Sequence, residues 1–494
     1  MPSDAAMPPH PSGPLGRVLI AGTGPTAIQL AGAVKNVYGS TVGIAGRESV
    51  RSSQFFDNLR AVDGAASVRV QNIQHEALAA DFRFDASFEG YPTVSGEWDT
   101  LILAAPANAY AQILREIDAA IGFAGITLIV LVSPTLGSGA LVAELSRSSV
   151  AAPEVISLSS YLGDTRWASG IPGPTVLTAG VKNRIYAASD RGRTRALDAV
   201  RGLHVALGID VEVFDDPIAA ESRNPSLYVH PALFFNDVTL GAVFDDPVGP
   251  QRYVYKLFPE GPITPGLIAT MLGQWREMSA ILAAVGVPGV NLLRFMVDDS
   301  YPVRPESISR EDIENFESLT ETEQCYLVYV RYASLLIDPF STPDADGRYF
   351  DFSAVPIGRV FTDATGVLDI PRMPGEDYYR TKVIRGIAAR AGIECPAIDG
   401  MLACYEGRLR TAAGKYPDRQ LSPAFTVQEF DGDVQLIWNR LRERIPRGYR
   451  PSLRSPVNPP SLRSPVNPPS LRSPVNPPSL RSPVNPPSLR SPGR

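Results

Sequence analysis

The feature that most constrains the fold lies between residues 17 and 45. A short apolar run, Arg17 to Ala21, leads into Gly22-Thr23-Gly24-Pro25-Thr26-Ala27; a helix-period stretch covers Thr26 to Val37, and a second apolar run spans Thr41 to Ala45. A glycine-rich turn that closes one strand and opens a helix is the first half of a βαβ unit built to receive a dinucleotide. In that reading Gly22 permits the tight turn and Gly24 lets backbone approach a pyrophosphate. Ala27, in place of a third glycine, keeps the helix close to its strand. The free N–H groups at the start of the helix favour the negative phosphates.

The same texture continues downstream. Thr100 to Ala105, Ile126 to Val132 and Val155 to Leu158 are further unbroken aliphatic runs, as expected of parallel strands covered on both faces. Thr175 to Ala179, Arg184 to Ala187 and Val211 to Phe214 can extend a sheet, with an amphipathic helix at Thr194 to Leu207 between them. Beyond Ala219 the pattern becomes helical, over Leu267–Val285, Cys325–Ile337, Tyr378–Ala391 and Val434–Arg444. The expected class is α/β: a Rossmann-type parallel-sheet domain at 17–175, then a mainly helical substrate domain at 176–446, with the active site in the cleft between them. Residues 1–16 lack a basic region and an apolar core and read as a disordered leader. Residues 447–494 carry a nine-residue repeat, Ser-Leu-Arg-Ser-Pro-Val-Asn-Pro-Pro, and read as a disordered tail.

That tail distorts the overall charge. The chain of 494 residues has a net charge of −6, but Pro451 to Arg494 holds six arginines and no acid, so the residues before it carry −12. A surface this acidic argues against nucleic acid as a partner, since that affinity comes from cations on phosphates. The longest aliphatic run, Ile126 to Val132, is far short of the ~18 residues of a membrane span, so no membrane partner is expected. Cys325, Cys395 and Cys404 form no CxxC, and no HExxH occurs. Neither a disulfide framework nor a metal site is expected, and reduced thiols fit a cytoplasmic protein.

At the end of the second strand the chain reads Ala45-Gly46-Arg47-Glu48-Ser49-Val50-Arg51. A site for NAD places an acid there for the ribose hydroxyls, whereas Arg47, with Arg51 one turn later, suits the 2′-phosphate of NADPH. Glu48 competes as a partner for a ribose hydroxyl. Of the four histidines, His10 lies in the leader, and His75 and His204 sit in ordinary polar and apolar alternation. His230 stands between Pro225 and Pro231, where a rigid imidazole can exchange protons near neutral pH or serve a structural purpose. Tyr161-Leu162-Gly163-Asp164-Thr165-Arg166 follows an apolar strand. There Asp164 can orient an amine or tune the histidine, and Arg166 can bind a carboxylate; a turn with an internal Asp164–Arg166 pair is the alternative.

Taken together, these stretches resemble the opine metallophore dehydrogenases, the staphylopine and pseudopaline synthase family, over roughly Arg17 to Arg444. The resemblance rests on Gly22-Thr23-Gly24-Pro25 with Ala27 to Ala31, Ser133-Pro134-Thr135, Tyr161 to Arg166 and Ser226-Leu227-Tyr228-Val229-His230-Pro231. Val254 to Thr264, Tyr301 to Glu306, Ile337 to Phe340 and Tyr349 to Pro356 complete it. It implies NADPH-dependent reductive condensation of an α-keto acid with a nicotianamine-like, histidine-derived amine, carried out by a dimer. By the same resemblance His230 is the general acid and base, Asp164 lies by the keto acid or amine, and Arg47 holds the 2′-phosphate. Ser53 stands where the family can place a lysine, which leaves that task to Arg51. An ionised Asp164 would repel the second carboxylate of 2-oxoglutarate by on the order of 1–4 kcal/mol at ~4 Å, so pyruvate is the expected keto acid. A simple amino-acid opine or β-hydroxyacid dehydrogenase, and a non-catalytic NADPH sensor, remain as alternative readings.

Overall fold

The computed structural model describes residues 13–147, 152–245, 249–300, 303–334, 347, 351, 353–363 and 365–445. The leader, apart from its last four residues, the repeat tail and the matching stretch 337–340 lie outside these residues.

The first strand, β1 (Val18–Ala21), is wholly buried, as its unbroken apolar sequence requires. It turns into α1 (Pro25–Tyr38), where Pro25 occupies a position whose N–H has no partner to lose, and Gly39 ends the helix in the left-handed region at φ 64°. After β2 (Val42–Gly46) comes α2 (Val50–Ala61), capped by Ser49 accepting from the Ser52 N–H. The polar strands β3 (Ala65–Val70), β4 (Ala80–Arg83) and β5 (Ala86–Glu89) follow. Then come β6 (Thr100–Leu103), α3 (Tyr110–Ile121), β7 (Leu128–Leu131), α4 (Ser138–Leu145) and β8 (Glu154–Leu158). Next are β9 (Gly163–Trp167), β10 (Thr175–Val181), β11 (Arg184–Ser189), α5 (Arg195–Ala206) and β12 (Asp210–Val213).

Among the described residues, eight strands form the main sheet in the order β12-β11-β8-β7-β6-β1-β2-β5. It is parallel from β5 to β8, and β11 then joins β8 antiparallel. The order reverses at β1, with β2 on one side and β6 on the other, and the carboxyl ends of strands at such a reversal open the crevice where ligands bind. A second sheet, β4-β3-β10-β9, packs over α1. Covered on both sides, α1 buries every residue from Ala27 to Val34.

The main sheet runs past the expected boundary at residue 175, because β11 and β12 add to its edge. The strand β9 is a further departure. Its sequence Gly-Asp-Thr-Arg-Trp is half-buried and polar, and it reads as a turn until its pairing with β10 is seen.

The rest of the described chain is mainly helical: α6 (Pro217–Glu221), α7 (Ser226–Phe234), α8 (Asp237–Phe244) and α9 (Pro265–Ala284), then helices as long as α9 at Arg372–Ala391 and Pro396–Lys415. Among the described residues no single helix is long and apolar enough to cross a membrane. One continuous core joins β1, β6 and β7 to α7, α9 and the Arg372–Ala391 helix. Truncating one of its fully buried members, such as Ile384, would cost about 2–5 kcal/mol.

Candidate active site

The turn after β1 is built around the absence of a side chain. Gly22 has φ +135°, and a Cβ there would lie 2.3 Å from the Ala104 carbonyl oxygen. Nothing lies within 4 Å of a Cβ at Gly24, so the start of α1 is open to a ligand. No side chain caps this end and no acid stands in the first turn. Thr23 Oγ1 is 3.2 Å from Ser52 Oγ, which ties the turn to α2. Pro25, Thr26 and Ala27 continue it into the helix.

Arg47 leaves the end of β2 exposed, and Arg51 projects from the first turn of α2. Neither has an ion-pair partner among the described residues. The Arg51 guanidinium is pushed below the ordinary arginine value, first by partial desolvation and then by the positive charges of Arg372 and Arg47. Arg51, within the field of both Arg47 and Arg372, and the uncapped start of α1 are the kind of groups that suit the phosphates of a phosphorylated dinucleotide. The Glu48 carboxylate lies beside the chain after β5, its Oε1 3.1 Å from where a Cβ on Gly90 would sit.

His230 is helical. Pro225 starts α7, and Pro231 sits inside it, so the carbonyl of Leu227 loses its usual partner four residues on. Gln274 of α9 supplies the replacement, its Nε2 donating to the Leu227 oxygen at 2.5 Å. This fixes the helix that bears the imidazole. The segment before it is anchored to the loop after β7. Glu221 accepts from the Gly137 and Gly139 N–H groups at 2.6 Å each and from Ser157 Oγ at 2.8 Å, and Asn224 Nδ2 donates to the Pro134 oxygen at 3.2 Å. Burial pushes the Glu221 carboxyl up to about 7 against the pull of those three donors. His230 is thereby anchored to the carboxyl edge of the sheet.

Both imidazole nitrogens are engaged. Nδ1 lies 3.2 Å from Asp377 Oδ1, and Nε2 lies 2.9 Å from the Tyr255 hydroxyl. Asp377 is 1% exposed. Burial drives its carboxyl up, but the positive charges of His230, Arg380 and Arg372, with the His230 hydrogen bond, outweigh that and hold it below the usual carboxylate range. An ionised Asp377 therefore receives Nδ1–H, which leaves Nε2 to accept from Tyr255 in the neutral ring. Arg380 stands 3.6 Å from Asp377 and 3.4 Å from Ser133 Oγ, and also pairs with Glu376. Glu376 in turn pairs with Arg372. The Arg372 side chain is 60% exposed and its charge acts both on Arg51 and on Asp377, which links the histidine cluster to the arginines beside α2.

Asp164 and Arg166 meet each other on β9, with Arg166 Nε 3.0 Å from Asp164 Oδ2. Neither is a hydrogen-bond partner of His230. Sequence reading does not single out Arg372, Asp377 and Arg380, because Arg372–Glu376–Arg380 at i, i+4 and Asp377–Arg380 at i, i+3 imitate exposed helix pairs, nor Tyr255, which lies inside a matching stretch. Among the described residues no cluster of His, Cys, Asp and Glu is arranged to hold a metal.

A dinucleotide turn at a sheet reversal, joined to a helical second half that holds a histidine fixed by a buried aspartate, is the arrangement of an oxidoreductase of the opine dehydrogenase type. Residues 16–441 match the staphylopine dehydrogenase family. The chain is 42% identical to the staphylopine synthase of Staphylococcus aureus over 86% of its own length and 98% of the relative's. It is 36% identical to the pseudopaline synthase of Pseudomonas aeruginosa, over 79% and 89% of the two chains. Among solved structures, a yersinopine dehydrogenase with NADP+ bound superposes with a TM-score of 0.78 at 29% identity, covering 87% of this chain and 99% of that one. An octopine dehydrogenase shares the fold, with a TM-score of 0.54 at 18% identity over 86% of this chain and 95% of that one. The chain belongs to the staphylopine dehydrogenase family, the opine metallophore dehydrogenases.

Proposed function

We propose that the protein catalyses NADPH-dependent reductive condensation of an α-keto acid, pyruvate in preference to 2-oxoglutarate, with a nicotianamine-like amine carrying an aminobutyrate unit on histidine. The product is an opine metallophore. The observation that carries this reading is the Asp377–His230 pair anchored beside an open dinucleotide turn and three arginines. Similarity to a staphylopine synthase across 98% of that relative's length supports the choice of amine.

NADPH, when bound, supplies hydride. Gly22, Thr23, Gly24, Pro25, Thr26 and Ala27 would hold its pyrophosphate, and Arg47 and Arg51 its 2′-phosphate. Condensation needs a deprotonated amine and then the loss of water, and both call for a group that takes up and returns a proton. His230 performs that exchange, with the ionised Asp377 stabilising its cationic form. Asp164 and Arg166 are assigned to the keto-acid end, Arg166 for a carboxylate and Asp164 for an amine. Reduced Cys325, Cys395 and Cys404 accord with a cytoplasmic enzyme, and the resemblance to its family supports a homodimer.

The test offers pyruvate and NADPH with a panel of amines and identifies products by mass. Product from the aminobutyrate–histidine amine is expected. Product from plain amino acids alone would instead make this a simple opine dehydrogenase, and no product with any amine would leave a nucleotide-binding protein without this chemistry.

A further inference from the structure

The imidazole nitrogen that a substrate would have to reach is already occupied. His230 Nε2 is hydrogen-bonded to Tyr255 at 2.9 Å, while Nδ1 is committed to Asp377. The phenol is held there by a loop whose shape is tightly specified. The Tyr253 N–H donates to the Glu260 oxygen at 2.9 Å, and the Val254 N–H donates to the Val355 oxygen at 2.8 Å. At Gly261 a Cβ would lie 2.2 Å from the Lys256 oxygen and 2.4 Å from the Tyr253 oxygen, so the loop closes only on glycine. Lys256 reaches Asp351 at 3.6 Å and Glu260 at 3.4 Å. Tyr255 is itself half-buried, within the field of Arg372.

We infer that Tyr255 is the catalytic acid and base that touches the substrate, relaying protons between the reacting amine and His230. This rests on the reading of the protein as an opine synthase. An incoming ammonium gives a proton to the phenol oxygen as the phenolic proton passes to Nε2, leaving a free amine and a His230 imidazolium paired with Asp377. The amine adds to the keto carbon, forming the C–N bond and converting C=O to C–OH with an internal N-to-O proton shift. Tyr255 then protonates that hydroxyl; the C–O bond breaks, water leaves, and the nitrogen lone pair forms the C=N bond of a protonated imine. The imidazolium proton restores the phenol. One proton enters with the ammonium and one leaves in water, with no change in oxidation state.

Around this relay stand Asp377, Arg380, Glu376 and Arg372 on the Arg372–Ala391 helix, Tyr255 on its loop, Tyr405 within the field of Asp377 and Tyr110 within that of Arg380 and Glu376; Phe234 packs edge-on at 5.4 Å. The experiment first establishes wild-type turnover with amine, keto acid and NADPH. Tyr255→Phe is then expected to lower kcat about a hundredfold or more with little change in the KM for NADPH, and to reduce the solvent isotope effect. Fluorotyrosines placed at position 255 keep the shape of the side chain, and kcat should follow the acidity of the phenol. Retention of kcat within about threefold in Tyr255→Phe, or no dependence on fluorination, would show that Tyr255 only covers the imidazole and would overturn the relay. Absence of wild-type turnover with every amine would overturn the synthase reading and the relay with it.

Discussion

His230 and Asp377 are 147 positions apart in the chain and meet at 3.2 Å across the buried junction of α7 and the Arg372–Ala391 helix. The pair fixes the tautomer of the imidazole and gives its cationic form a partner. Asp377→Asn keeps the shape but presents an amide to Nδ1, so kcat should fall about 10²–10⁴-fold, by analogy with the loss of the orienting aspartate in a catalytic triad. His230→Gln should cost at least as much. The double variant should be scarcely worse than His230→Gln, since residues that act as a unit are not additive. Steady-state kinetics of the three variants check this, and additive losses would contradict it.

The arginines beside α2 repel one another when no anion separates them. Arg47→Ala and Arg51→Ala should each weaken NADPH binding about ten- to a hundredfold, the value of a charge-assisted hydrogen bond, and leave NADH binding nearly unchanged. Thermal stability without cofactor should hold or rise. Fluorescence titration with both nucleotides checks this. NADH binding as tightly as NADPH to the wild type would refute the assignment of Arg47.

The proposed preference for pyruvate rests on the charge of Asp164, which its partner Arg166 partly offsets. Asp164→Ala should narrow the ratio of kcat/KM between pyruvate and 2-oxoglutarate, and Arg166→Ala should widen it. A wild-type preference for 2-oxoglutarate would remove Asp164 from this part of the site.

Much of this arrangement was legible in the residues. The unbroken aliphatic runs at Val18–Ala21, Thr100–Leu103 and Leu128–Leu131 announce strands covered on both faces, and the Gly22 turn announces what they hold. Of the second sheet only β10 was legible; β4 and β9 are short, polar and largely half-buried, β3 carries no unbroken apolar run, and all three gain their strand character from pairing over α1. His230 stood out by rarity and by its prolines. Its partners did not, because a helix that presents Arg372, Glu376, Asp377 and Arg380 looks like a solvated face until packing buries all but the first.

Glu221 makes stability depend on pH. Its carboxyl is raised from 4.5 to about 7 in the folded protein. Between those values the folded chain keeps a proton that the unfolded chain has lost, so this group's contribution falls as pH rises through the interval and is level above about 7. The loss is on the order of 3 kcal/mol. Glu221→Gln should therefore gain stability relative to the wild type as pH is raised from about 5 to about 8, measured by urea unfolding. Parallel pH curves for the two proteins would contradict this.

The most direct test of the central claim follows the hydride itself. NADPH carrying deuterium at the transferable position of the nicotinamide is mixed with protein, pyruvate and the aminobutyrate–histidine amine, and the product is examined by mass and NMR. The account predicts a single condensed product with one deuterium on the former keto carbon, formed only when both substrates are present and lost in His230→Gln. An unlabelled product, or consumption of NADPH without C–N bond formation, would contradict it.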